Sequence, residues 1–421
     1  MSLYSGGGKR LAGGRPRRGG KRLARRGGRR AKARRMHAAP LLLCTMVLAV
    51  GIWYWLGARK TPAPQNNDTD SLVSVPLSNI GTQLTEPEAS APEQDSNRFL
   101  LSFAGDCTLG VEHASWGKSG TFPEVVGTDY GYPFSGVRNL FEADDFTFVN
   151  LECALTTYNT PAEKEYRFRG LPAYGQILKR GSVEAVTLAN NHSLDYGQTG
   201  LADTRRTLEA LSIAAGGDKE TFLYTTERGL RIGVYTAYHI GKAEIRSAVA
   251  SLREQGAQII IAAFHMGTEG SYTPTPWQQE VCRYAADCGA DIVYNSHPHV
   301  LQPVEQWGDS LIFYSMGNFC FGGNRNPSDK DTAVIQVAVE VDENGTAHLD
   351  GMTVYPCRVS SRSDRNDYCP TPYPPDSAEA KRVASKLDGT YQPPVKAPQT
   401  DDQTEEAAAV TQQLSGEQAG T

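Results

Sequence analysis

The chain has 421 residues, with 42 Lys and Arg against 47 Asp and Glu and a formal charge of −5, but the charge is segregated. From Lys9 to Arg35 there are 14 basic residues, Arg59 and Lys60 follow, and the first acid is Asp68; everything after residue 60 holds 26 basic against 47 acidic side chains, a formal −21. That balance sets nucleic acid aside as a partner of the body, and the seven of eight cysteines that follow residue 60, at irregular spacing with no CxxC pair, exclude a disulfide framework or a Cys-based zinc site.

Residues 1–38 form a Gly/Arg-rich head that cannot build a core and is predicted to be disordered and cytoplasmic. Residues 39–58 contain PLLLCTMVLAVGIWYWLGA, which has no charged side chain and as a helix would cover about 28 Å, enough for one bilayer span. Trp53, Tyr54 and Trp55 suit the outer interface, and the basic excess before the span predicts a single-pass cell-membrane protein with the body outside the cytoplasm. A cleaved signal peptide competes, because Leu56-Gly57-Ala58 loosely resembles a cleavage site; the long basic head favours a retained anchor. Residues 59–97 read as a flexible stalk, 98–358 as one domain, and 359–421 as a polar acidic tail whose one helical pattern runs over 377–387.

Within the domain, apolar runs at 99–105, 146–151, 183–189, 230–237, 258–264, 290–295 and 310–316 alternate with helical patterns. Many are apolar on both faces, which predicts an α/β fold around a largely parallel sheet covered on both sides. Over 275–289, Thr275, Pro276, Gln278 and Gly289 mark a capped helix, with Trp277 in its core. After residue 331 two strands flank Glu343-Asn344-Gly345, an antiparallel C-terminal hairpin. Cys357 with Cys369 is the pair best placed for a bridge.

Polar residues follow these strands: Asp106, then Asn150 and Glu152, then Asn190-Asn191-His192, His265, and finally His297 with His299 in SHPH. Carboxyl ends of strands in an open sheet line a common crevice. Carboxylate, imidazole and amide oxygen together suit Mn, Zn or Fe, one ion or two, and metal-assisted hydrolysis. His297 and His299 are two apart and able to share an ion or flank a pair. Each element also has a plainer reading: a strand-end histidine is commonly a hydrogen-bonded loop residue, and Asp106 or Asn190-Asn191 serve equally as turn residues. Arg167 and Arg169 can point together toward a carboxylate or phosphate, or pair with surface acids. Glu269 can orient a ligand histidine, act as a base, or only bind backbone. His113, His239 and His348 read as structural.

FAGDCTLG, NLECALTT, YRFRGLP, LANNHSLDYGQTGL, FHMGTEGSYTPTPWQQEVCRYAADCGADIVYNSHPHVLQPVE and FYSMGNF, in this order over about 98 to 325, resemble the CapA capsule-synthesis family. The resemblance implies a membrane-anchored, extracytoplasmic role in biosynthesis, export or surface retention of poly-gamma-glutamate. It also implies a membrane-bound polymer synthase or export components as partners and an anionic polymer as substrate. The CapA domain is in turn similar to calcineurin-like metallophosphoesterases, which implies a layered sheet fold with a dinuclear site. On that pattern Asp106 and His299 serve a first metal, and Glu152 (or Asn150) bridges. Asn191, His265 and His297 serve the second metal, and His192 is the acid. Catalysis then falls to His192 with Glu269, and substrate binding to Arg167, Arg169 and Asn150. The family's D-x-H reads Asp106-Cys107-Thr108 here, which leaves the first site one ligand short. The resemblance therefore implies a metal-dependent hydrolase, or else a noncatalytic partner of the synthase with a degenerate site.

Overall fold

A computed structural model describes residues 83–84 and 96–394; the basic head, the apolar segment at 39–58, most of the stalk and the chain after 394 lie outside the described residues. Among the described residues no helix is long and apolar enough to cross a membrane. The first sheet starts with β1 (Arg98–Thr108), β2 (Phe146–Leu151), β3 (Ala185–Thr187) and β4 (Ala214–Gly216), parallel neighbours in that order. The chain then builds a second sheet from β5 (Glu220–Thr225), β6 (Arg231–Ala237), β7 (Ile259–His265), β8 (Ile292–Ser296), β9 (Val304–Trp307) and β10 (Ser310–Phe313). Its spatial order is β9-β10-β8-β7-β6-β5, parallel at the centre and antiparallel at both edges. β11 (Asn318–Phe321) returns beside β1, and the hairpin of β12 (Asp331–Val341) and β13 (Ala347–Arg358) joins the first sheet, β12 antiparallel to β1, with the short segments Gln83–Leu84 and Thr371–Pro372 pairing with β13.

The two sheets pack face to face. Side chains alternate across a strand, so Ile259, Ile261 and Ala263 meet Phe103, Phe148 and Ile335 between the sheets, while Ile260, Ala262 and Phe264 point outward. Helix α1 (Gly197–Ala210) covers the outer face of the first sheet through Leu208. α2 (Lys242–Glu254) and α3 (Pro276–Asp287) cover the second through Val249, Leu252, Val281 and Ala285. The fold is thus layered helix, sheet, sheet, helix. An apolar run with both faces buried does not say whether a helix or another sheet covers it, and the single sheet read from the sequence becomes two for that reason.

Helix α3 has the expected capping box, the Thr275 hydroxyl accepting from Gln278 N–H and the Gln278 side chain from Thr275 N–H. Trp277, however, faces solvent at 49% exposure rather than the core. Cys357 and Cys369 are free thiols; Cys357 Sγ turns to Tyr355 O, and Cys369 Sγ lies 3.4 Å from Ser135 Oγ. The packed domain also continues past 358. Helix α4 (Ala378–Leu387) sinks Val383 and Leu387 into the core between the sheets, and Lys386, 2% exposed, bonds Asp329 and Asp331 at 2.7 Å each.

β11 seats on β1 through Gly105. A Cβ there would lie 2.0 Å from Gly317 O, the same carbonyl that takes the Asp106 N–H at 2.8 Å. Gly105→Ala is therefore expected to push β11 off β1 and cost about 1–3 kcal/mol, read as a lower denaturant midpoint with unchanged slope.

Candidate metal centre

Strand parity decides which strand-end residues meet. His265 continues the inward row of Ile259, Ile261 and Ala263, so at the carboxyl end of β7 its ring emerges between the sheets. There it faces Asp106 and Asn150, register partners at the ends of β1 and β2. The SHPH turn follows β8 with His297 at φ +100° and His299 at φ +59°. Left-handed backbone at two non-glycine residues costs on the order of 1–3 kcal/mol each and is characteristic of functional turns. The turn is tied down by Gly270 N–H to Pro298 O at 2.8 Å.

Four donors converge on one point. His265 Nε2 lies 2.8 Å from Asn191 Oδ1, 3.1 Å from His297 Nδ1 and 3.4 Å from Glu152 Oε1. Glu152 Oε1 also lies 3.9 Å from His299 Nε2 and 4.0 Å from His192 Nε2. On the other flank His299 Nδ1 sits 3.1 Å from both Asn318 Oδ1 and Asp106 Oδ2; only the first is aligned as a hydrogen bond. The ligand atoms of Asp106, Glu152 and His265 lie within 4.8 Å of one another, as do those of Glu152, His297 and His299.

The fit to a cation can be tested on this geometry. Glu152 Oε1 and Asp106 Oδ2 are buried and have no hydrogen-bond partner among the described residues, a costly arrangement unless a positive charge completes it. Burial, with the Asp106 charge, pushes the Glu152 carboxyl up to about 7. Asp106 moves the other way: burial would raise it, but His299 close by holds it below the usual carboxylate range. Burial would lower His299, yet Glu152 and Asp106 outweigh it and push it up to about 10. Burial takes His265 down to about 3, and burial with His265 beside it takes His297 down to about 4. Those two imidazoles are neutral, as metal ligands must be. The donors present fit a divalent cation.

Several residues that orient this cluster were given no role by the sequence. Ser296 Oγ holds His265 Nδ1 at 2.8 Å, a role the sequence offered to Glu269. Asp195 Oδ2 holds His192 Nδ1 at 2.7 Å and is itself bonded by Lys164 at 2.7 Å. Asn190 donates to Asn150 Oδ1 and to Leu151 O, both at 2.9 Å. Asn190 stands in the strand-end run Asn190-Asn191-His192, while Asp195 lies within LANNHSLD, Ser296 within SHPH and Asn318 within SMGNF, so proximity to a motif was the one clue to those three; Lys164 had none.

The three expected substrate contacts all have partners within the protein. Asn150 is wholly buried, its amide donating to Asp106 Oδ1 at 2.9 Å, so it braces the site. Arg167 and Arg169 do share a face, but it is the face away from Phe168. Arg167 pairs with Glu112 at 3.2 Å, and Arg169 packs over Trp116 and Tyr196, its guanidinium carbon 4.5 and 5.4 Å from the ring centroids. Phe168 instead lies against His192, ring centroids 4.4 Å apart. Thr108 turns its hydroxyl to Glu152 O at 3.2 Å and adds no ligand. Glu269 is exposed on the rim of a cavity of about 370 Å³ that His192 and His299 also line.

Layered sheets with a buried carboxylate and imidazole cluster at their strand ends define a class: an α/β domain whose donor set suits a divalent cation. Residues 100–323, more than half of the chain, match the family described as Bacterial capsule synthesis protein PGA_cap, and the chain belongs to that family. It is 27% identical over 324 residues to Capsule biosynthesis protein CapA of Bacillus anthracis, covering 68% of this chain and 75% of that one. Its identity to PGA biosynthesis protein CapA of Bacillus subtilis is 28% over 315 residues, 68% and 77% of the two chains. Among solved structures, purple acid phosphatase PPD1 from yellow lupin superposes with a TM-score of 0.29 at 11% identity, over 62% of this chain and 54% of that one, too loosely to assign a role.

Proposed function

We propose that this chain is a membrane-anchored, extracytoplasmic protein of capsule-polymer biosynthesis, export or surface retention, working beside a membrane-bound synthase or export apparatus on poly-gamma-glutamate or a similar anionic polymer. Its cation site is of the metal-dependent hydrolase type, for phosphoester or amide bonds. The family and the names of its Bacillus relatives support the pathway. The observation that carries the site is Glu152 Oε1, buried, without a hydrogen bond, and facing His265, His299 and His192 at 3.4 to 4.0 Å.

Glu152, Asn191, His265 and His297 would hold a Mn, Zn or Fe ion, and Asp106 with His299 a weaker second position. A bound ion of this kind lowers the pKa of its water and polarises the bond to be cut. The chain's own residues do the rest. Asp195 fixes His192 through Nδ1 at 2.7 Å, leaving Nε2 toward the cluster to hand a proton to the leaving group. Ser296 fixes His265 in the same way, and Asn150 with Asn190 keeps Asp106 in register. His192→Ala is expected to lower turnover by about 10²–10⁴-fold while retaining metal, measured across a panel of phosphoesters, gamma-glutamyl peptides and cell-wall fragments. Equal rates in both proteins on the substrate that turns over would remove His192 from the chemistry.

One observation favours a second reading. Thr108 contributes no ligand beside Asp106, so the site also suits a noncatalytic partner of the synthase that retains one structural ion. That version expects bound metal and no turnover on any member of the panel.

A further inference from the structure

The crevice between the sheets does not stop at the strand-end cluster. Tyr238 follows β6 and continues the inward row of Ile232 and Val234, as His265 continues that of β7, while Tyr235 and Ala237 face outward. β6 pairs with β7, Ala237 beside Phe264, so Tyr238 and His265 emerge side by side, edge to face with ring centroids 6.0 Å apart. From the first sheet Asp218 meets them, just past β4, the strand outside β3. Asp218 Oδ1 accepts the N–H groups of Tyr238 and His239 at 2.8 Å each, and its Oδ2 takes His239 Nδ1 at 2.7 Å. The pair repeats the arrangement of Asp195 with His192, but in the open. Tyr238 is 37% exposed and the His239 side chain 73%. Three hydrogen bonds thus fix two neighbouring rings, centroids 4.8 Å apart, that add little to the core.

We propose that Tyr238 and His239 form a subsite for an amide-linked chain lying along the crevice, one strand further out in each sheet than the cluster. The Tyr238 ring packs on the chain's methylenes, and His239 Nε2 accepts an amide N–H. A carboxylate can only accept, so the His239 proton that faces Asp218 sits on Nδ1, and the neutral ring then presents Nε2 as an acceptor. That atom has no partner among the described residues. A carboxylate is the poorer occupant. Asp218 stands behind the ring, and the lysines next in sequence, Lys219 and Lys242, are already matched by Glu244 and Glu280 at 3.1 and 2.6 Å. The inference rests on the proposed polymer role and says which residues grip the chain away from the cluster.

Binding can be measured without turnover, so this inference can fail independently of the hydrolase reading. Isothermal titration of the full-length protein in detergent, chelated and metal-loaded, would compare gamma-glutamyl-glutamate, gamma-linked hexaglutamate and an acrylate oligomer of equal charge that has no amide. The hexamer is expected to bind more tightly than the dimer in both metal states. That preference should fall about three- to tenfold in His239→Ala, the size of one hydrogen bond, and by a similar factor in Tyr238→Ala. Affinity for the acrylate oligomer should not respond to His239→Ala. Both side chains are exposed, so neither substitution opens a cavity in the core. Equal binding of dimer and hexamer, a preference unchanged in either variant, or acrylate binding that falls with the hexamer's in His239→Ala overturns the inference.

Discussion

Glu152→Gln is expected to do two opposite things. Without metal the variant should melt at or above the temperature of the unmodified protein, because it removes a buried carboxylate pushed up to about 7 by its own burial and by Asp106. With metal it should lose nearly all of the stabilisation that the ion confers. At a free-ion concentration one hundred times its dissociation constant, the unmodified protein gains about 2.7 kcal/mol. If the variant binds about a hundredfold more weakly, a loss of the size seen even for outer-shell partners, it gains only about 0.4 kcal/mol at the same concentration. Thermal melts with and without Mn or Zn read both effects. A Glu152 that is merely a structural residue would give the reverse: lower stability without metal and no change in the metal-induced shift.

The second large effect lies far from the cluster, at α4. Lys386→Met keeps the side-chain volume but removes the buried cation that bonds Asp329 and Asp331. Breaking a buried pair on one side costs about 3–5 kcal/mol, which for a domain of this size is a fall of about 6–10 °C in Tm. Arg382 holds Asp331 from the second side at 2.7 and 2.8 Å. Burial would raise the Asp331 pKa, but Arg382 and Lys386 outweigh it and hold it below its ordinary value of 3.8. A carboxyl with a depressed folded pKa contributes stability that is present above its unfolded pKa and lost as pH falls through the folded one. Docking of α4 should therefore hold at neutral pH and loosen below about pH 4, where hydrogen exchange in 378–387 would rise first.

These two regions differ in how far the sequence announced them. The cluster was largely legible because its members sit at ends of apolar strands; His297 and His299 reach it through a left-handed turn past β8 rather than through the alternation of an extended segment. Its supports were not. Ser296 and Asn318 at strand ends and Asp195 in a loop are ordinary polar residues until the fold brings them to a histidine. Parity also bears on where Arg167 and Arg169 point. Alternation puts them on one face, but which face turns to the cleft depends on Phe168 packing against His192, a contact between segments 24 residues apart. Helix α4 was visible as a pattern, yet its polar neighbourhood hid its attachment, since the partners of Lys386 lie 55 and 57 residues earlier. Cys357 and Cys369 looked like a pair by spacing alone, and the fold gives each thiol a different polar neighbour.

Central to the proposed function is a divalent ion held by the strand-end cluster through Glu152, Asn191, His265 and His297. Metal analysis of the full-length protein after loading with Mn, Zn or Fe and removal of excess tests it most directly, alongside His265→Ala and His297→Ala. The expected result is one tightly held ion per chain in the unmodified protein and a stoichiometry near zero in both variants. No stoichiometric ion in the unmodified protein, or full retention in both variants, would contradict it.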